Sequence, residues 1–176
     1  MSKVYKHYIL IIVGILSFLS SSIYAGTMRK APANIQASLF IKLLPYNKNI
    51  SSGGNVTIYV LNTQSVAKAM KSAIGRKLGK STLAKVIAIS KVPSQKPDKL
   101  SVLYVPDNKQ LKAAAAFCQK YKILSITGNP DLIKKGITLM VGVQNKKPKI
   151  MLNLSSTKKE GIDWNPNILK IATKVK

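Results

Sequence analysis

Six short runs dense in β-branched and aliphatic residues recur between Val56 and Leu154, and stretches of helical spacing or proline-containing linkers separate the early ones. This rhythm constrains the chain more than any other feature, because a helical stripe and a strand pattern bury different residues and cannot be exchanged. The runs are residues 56–61 (VTIYVL), 84–90 (AKVIAIS), 100–105 (LSVLYV), 123–127, 137–143 and 149–154. Five of the six abut a Gly, Pro or Asn on at least one side, as strands commonly do.

The intervening segments read as helices. Residues 33–44 place Ile35, Leu39 and Leu43 on one stripe with Phe40 and Leu44 beside it, and Pro45 stops the helix. After a cap at Asn62 or Thr63, a second helix groups Val66, Ala69, Met70, Ala73 and Ile74, with Lys68, Lys71 and Lys77 facing away. A third, capped by Asp107 or Asn108, runs through Tyr121 and turns Leu111, Ala115 and Cys118 inward. A short helical turn from Asn129 to Gly136 precedes a hairpin closed by a Lys-Lys-Pro turn. A last helix over 166–175 turns Ile168, Leu169 and Ala172 inward. The expected architecture is a single-domain layered α/β fold, a mixed sheet of about six strands flanked by helices, ending in a hairpin and helix.

The first 25 residues have a different character. Lys3 and Lys6 lead an unbroken apolar run from Ile9 to Leu19, and a small, polar stretch ends at Ala25. That order is expected of a cleaved signal peptide, and the run is too short to span a bilayer. Residues 26–32 read as a flexible lead-in and 33–176 as one domain, and the leader makes the chain one expected to be exported from the cytoplasm. Cys118 is the only cysteine, which excludes an internal disulfide and leaves either a buried apolar role or a bond to a second chain.

Without the leader, 27 Lys and Arg face five acids. Such a field attracts polyanions and acidic surfaces but does not specify a fold. Compositional bias explains many lysines, though not the shortage of glutamate. The only histidine, His7, lies in the leader, so the exported chain lacks the usual general base and the commonest metal ligand. No catalytic, cofactor-binding or metal site is therefore expected. Asp107 and Asp131 suit helix starts, Asp98 lies in a proline-rich loop, and Glu160 and Asp163 read as solvated carboxylates in a Gly-containing connection.

Gly75-Arg-Lys-Leu-Gly79-Lys80-Ser81 imitates a phosphate-binding loop with one residue too few between its glycines, and it follows a helix rather than a strand. The better reading is that Gly75 and Gly79 end the helix. Tyr59 and Tyr104 read as core-edge residues, not base-stacking platforms, and no specific nucleic-acid motif is present. Trp164 reads as a cover holding the last helix on the core, with a surface anchor as the alternative.

In Ala37-Ser-Leu-Phe-Ile-Lys42, the strands at 56–60 and 100–105, the glycine-led strand from Gly136, the strand Lys149-Ile-Met-Leu-Asn-Leu154 and the terminal Ile168-Leu-Lys-Ile-Ala172, the sequence resembles the YfiR-like family of bacterial periplasmic proteins. The resemblance implies a non-enzymatic periplasmic regulator that binds the sensor domain of an inner-membrane diguanylate cyclase and lowers cyclic-di-GMP signalling. A homodimer is one assembly open to such a regulator. The paired cysteines frequent in that family have no counterpart beside Cys118, so disulfide control does not carry over. A solute- or polyanion-binding protein is the alternative reading. For a basic face toward an acidic partner or anionic lipid, the candidates are Lys134, Lys135, Lys146, Lys147, Lys158 and Lys159.

Overall fold

The computed structural model describes residues 27–97 and 100–175. The leader expected over residues 1–25 lies outside the described residues, as do Asp98 and Lys99 of the linker. Among the described residues, nine strands join in one sheet.

The chain enters through β1 (Arg29–Lys30), α1 (Ala33–Leu43), a 3-10 turn (Leu44–Tyr46) and α2 (Lys48–Ser51). β2 (Gly54–Leu61), α3 (Gln64–Lys71), β3 (Lys77–Leu78) and β4 (Ser81–Ile89) follow. Next come β5 (Leu100–Tyr104), α4 (Leu111–Tyr121), β6 (Leu124–Thr127) and a 3-10 helix (Pro130–Lys135). β7 (Leu139–Gln144), β8 (Lys147–Asn153), α5 (Leu154–Glu160), α6 (Ile168–Ile171) and β9 (Thr173–Val175) complete the order.

The sheet order is β3-β4-β2-β5-β6-β7-β8-β9, with β1 on β7. β4, β2, β5, β6 and β7 are mutually parallel, while β3, β8 and β1 pair antiparallel to their neighbours β4, β7 and β7. The sheet therefore has a lower end, where five strands begin, and an upper end, where they finish.

Parallel strands buried on both faces need helices on both. On one face α1 and α3 cover Val56, Ile58, Val60, Val102, Tyr104 and Val141. On the other α4 brings Ala114, Phe117 and Cys118 against Leu61, Leu103 and Val105. The α/β class and layered architecture are as expected, with three more strands than the sequence pattern suggests.

The differences have local causes. Arg29–Lys30, in the expected flexible lead-in, pair with Gly142 and Val143. On α1 the buried face holds Gln36, Ala37, Phe40 and Ile41, and Ile35 is 39% exposed. A buried glutamine is tolerated there because Tyr104 Oη donates to its Oε1 at 2.8 Å and its Nε2 donates to the Ala31 carbonyl at 2.5 Å. Gly128 packs against the same side chain so closely that a Cβ would land on the amide of Gln36.

α3 ends at Lys71, which leaves Ile74 47% exposed instead of inward. The expected terminal helix shrinks to one turn, exposes Leu169, and gives way to β9, which pairs parallel with β8. The hairpin loop is shorter than expected: Asn145 and Lys146 alone turn the chain, at φ 51° and 61°. Two positive φ values in a two-residue loop are the geometry that right-twisted strands favour. Asparagine tolerates it, whereas lysine pays a steric cost.

Gly79 is required twice over, by φ +68° and because a Cβ would meet the Ser51 carbonyl oxygen at 3.0 Å. Lys146→Gly should therefore stabilise the protein by about 1 kcal/mol, and Gly79→Ala should destabilise it by about 1–3 kcal/mol. Urea denaturation midpoints of the two variants, moving in opposite directions, check this pair.

Candidate functional site

The six lysines singled out in the sequence are all exposed, but the fold divides them. Lys134 and Lys135 end the 3-10 helix that leads into β7, and Lys158 and Lys159 lie on α5, just past β8. These four occupy the lower end. Lys146 and Lys147 sit at the hairpin tip, at the upper end. The seven residues of β8 separate the groups by about 20 Å.

The fold brings other basic residues to the lower end from distant sequence. Lys80 lies in the β3–β4 turn, its backbone N–H donating to the Ser51 carbonyl at 3.0 Å. Lys122, in the left-handed conformation at the end of α4, donates from Nζ to the Lys159 carbonyl at 3.1 Å. Lys48 Nζ lies 3.1 Å from Asp163 Oδ2, an exposed ion pair of small energetic weight.

Glu160 departs most from the expectation of a solvated carboxylate. It is fully enclosed beneath α5, where Oε2 accepts the Ser125 backbone N–H at 3.0 Å and Oε1 accepts the Ser125 hydroxyl at 2.5 Å. The Thr138 N–H in turn donates to Ser125 Oγ at 2.9 Å. Burial pushes the Glu160 carboxyl up to about 7, against the opposing pull of the Ser125 hydrogen bonds. Thr138 Oγ1 lies near enough to favour the carboxylate, yet makes no hydrogen bond of good geometry.

This arrangement was not legible in the sequence. The inward positions of α5 are Ser156 and Glu160 while Leu154 is exposed, the reverse of the usual apolar signal. Cys118 is buried, as its apolar reading required, and burial with the neighbouring Glu160 charge raises its thiol well above the ordinary value. It has none of the thiolate character of a reactive cysteine.

The remaining candidates resolve into structure. Gly75 to Ser81 forms the turn and short hairpin into β4, with the Gly75 N–H donating to the Leu83 carbonyl at 2.8 Å, so the phosphate-loop likeness has no structural counterpart. Tyr104 is fully buried, not at the core edge. Trp164 covers the core beside Ile168, as expected, and its Nε1 donates to Thr157 Oγ1 at 3.3 Å. Asp107 Oδ1 accepts the Lys109 N–H at 2.8 Å in the turn before α4, and Asn129, not Asp131, caps the following 3-10 helix.

Among the described residues no three His, Cys, Asp or Glu side chains come together to hold a metal ion, and no helix is long and apolar enough to cross a membrane. A shallow groove between α1 and α3 is lined by Asn34, Ala37, Ser38, Ala69, Ser72 and Arg76.

The fold defines the class as layered α/β, with helices on both faces of a mixed sheet, and the sequence comparison gives the family. The YfiR/HmsC-like profile matches residues 33–173, and the chain belongs to that family. Its members are periplasmic, regulatory rather than catalytic, and act in diguanylate cyclase signalling. No curated protein sequence matches significantly. Eight chains of solved structures match. One is a conserved domain protein from Vibrio cholerae, at 13% identity and a TM-score of 0.52, over 83% of this chain and 60% of the Vibrio chain. At that identity the likeness concerns the fold alone, and this chain spans less than two thirds of its solved relative.

The Glu160 environment has a measurable consequence. Its folded value, about 7, lies above the ordinary 4.5, so the fold favours the protonated form. The stabilisation is fully present below about pH 4.5 and is lost as pH rises through 7. Between pH 5 and 8 the contribution should fall by about 2–3 kcal/mol. Glu160→Gln should flatten that slope, which urea midpoints at several pH values will show.

Proposed function

We propose that this chain is exported through its cleavable leader, binds the periplasmic sensor domain of an inner-membrane diguanylate cyclase, and represses it. Family membership over residues 33–173 carries the reading. The sequence agrees with it: without His7 the exported chain has no histidine to shuttle protons, and Cys118 is an inert thiol. Regulation by contact needs only a rigid, well-packed body with a distinctive surface, and this fold supplies both.

The described acids support a binding role over chemistry. Glu160 is enclosed, Asp163 is engaged by Lys48, Asp107 closes a backbone turn, and Asp131 lies in the first turn of the 3-10 helix. A paired-carboxylate mechanism would need two free carboxylates facing one reacting centre. The overall positive charge raises the rate of association with a sensor domain that carries an acidic face, and this attraction weakens with salt.

The test is to co-express the chain, with and without residues 1–25, alongside the membrane cyclases of its own genome that carry periplasmic sensor domains. One of them should co-purify with the exported form, and cellular cyclic-di-GMP should fall. Unchanged cyclic-di-GMP with every such cyclase, or equal repression by the leaderless form, overturns the proposal.

A further inference from the structure

The topology gathers lysines from distant sequence at one end of the sheet. Five parallel strands begin at the lower end, β8 finishes there, and the turn between β3 and β4 lies there too. The segments that enter or leave at this end bring Lys80, Lys122, Lys134, Lys135, Lys158 and Lys159 together from four separate parts of the chain. The one exposed acid at this end among the described residues, Asp163, is already paired with Lys48. Two aliphatic side chains accompany the lysines: Leu154, 38% exposed at the start of α5, and Ile74, 47% exposed beside the lower part of β4.

We infer that this lower end is a docking surface for an anionic bilayer, with the lysines meeting lipid phosphates and Leu154 and Ile74 entering the headgroup layer. The composition favours a membrane over a protein partner. Tight protein interfaces centre on Trp, Tyr and Arg and are depleted in Lys. Here the single tryptophan is packed on the core, and the gathered basic residues are lysines apart from Arg76, which follows Ile74 beside Leu83. Flexible ammonium groups around exposed aliphatics are what an anionic membrane surface attracts. The width fits as well, since β4 and β8 lie five strand spacings apart, about 24 Å. Docked this way, the protein stands with its strands pointing away from the bilayer and its upper end free.

The inference does not depend on the cyclase reading, and its test uses lipid alone. The purified protein should sediment with vesicles of one part phosphatidylglycerol to two parts phosphatidylcholine at about 0.15 M salt, and not with phosphatidylcholine alone. Each lysine at an anionic surface contributes about fivefold in affinity. The lower-end triple variant Lys80→Gln, Lys135→Gln, Lys158→Gln should therefore bind about a hundredfold more weakly.

The upper-end triple variant Lys109→Gln, Lys112→Gln, Lys147→Gln removes the same net charge. It should stay within about twofold of the parent, because charges that far from the bilayer are screened. Melting curves matching the parent confirm that both variants fold. Equal loss in the two variants would mean diffuse attraction to net charge and would overturn the inference. No sedimentation with the anionic vesicles would overturn it too, as would binding to soluble polyglutamate through the lower end with none to vesicles.

Discussion

β2 lies between β4 and β5, and the burial of both its faces sets the conditions for everything around it. Val56, Ile58 and Val60 point into one core while Leu61 points into the other. Aliphatic strands of this kind leave no exposed face for water, so helices must lie on each side. α1 and α3 take one side and α4 the other. With both faces of the sheet covered, charged side chains are left with helix exteriors and strand ends, which is where the lysines collect. The same enclosure explains why the polar groups caught inside are fully engaged: Gln36 with Tyr104 and Ala31, and Asn153 with the Ile133 carbonyl and the Ser156 N–H.

The strand-forming runs were legible because an aliphatic strand at the centre of a sheet leaves a dense local signal. Residues 56–61, 84–90 and 100–105 fall within or almost on β2, β4 and β5. The helices were legible in place but not in facing. On α1, sequence spacing favours Ile35, whereas the fold buries Gln36 because a tyrosine 68 positions away supplies its partner. Short elements carried no signal at all. β1, β3 and β9 have two or three residues each and exist only because a neighbouring strand offers its edge.

The candidate surface was half legible, for the same reason. Lysine pairs are conspicuous in a sequence, so Lys134, Lys135, Lys158 and Lys159 stand out, and the fold does place them at one end. Lys146 and Lys147 look equivalent in sequence, yet hairpin geometry carries them to the other end. Lys80 and Lys122 belong with the lower group through contacts with Ser51 and Lys159 that no local pattern announces. Glu160 was misread because its company, Ser125 and Thr138, arrives from β6 and the start of the β7 hairpin.

What the carboxylates do decides how the charge acts at a distance. Of the five, Glu160 is enclosed with its carboxyl pushed up to about 7, Asp163 is paired, Asp107 sits in the turn before α4, Asp131 lies in the first turn of the 3-10 helix, and Asp98 lies outside the described residues. Almost none of the lysine charge is cancelled locally. A formal net charge of +24 for the full chain would then suggest a uniformly adhesive particle. At physiological salt, however, fields decay over about 8 Å, less than half the length of β8. The two ends of the sheet therefore act as separate electrostatic surfaces. Which basic segments reach which end follows from the parallel strand arrangement, which gathers five strand beginnings at one end and the hairpin tip at the other.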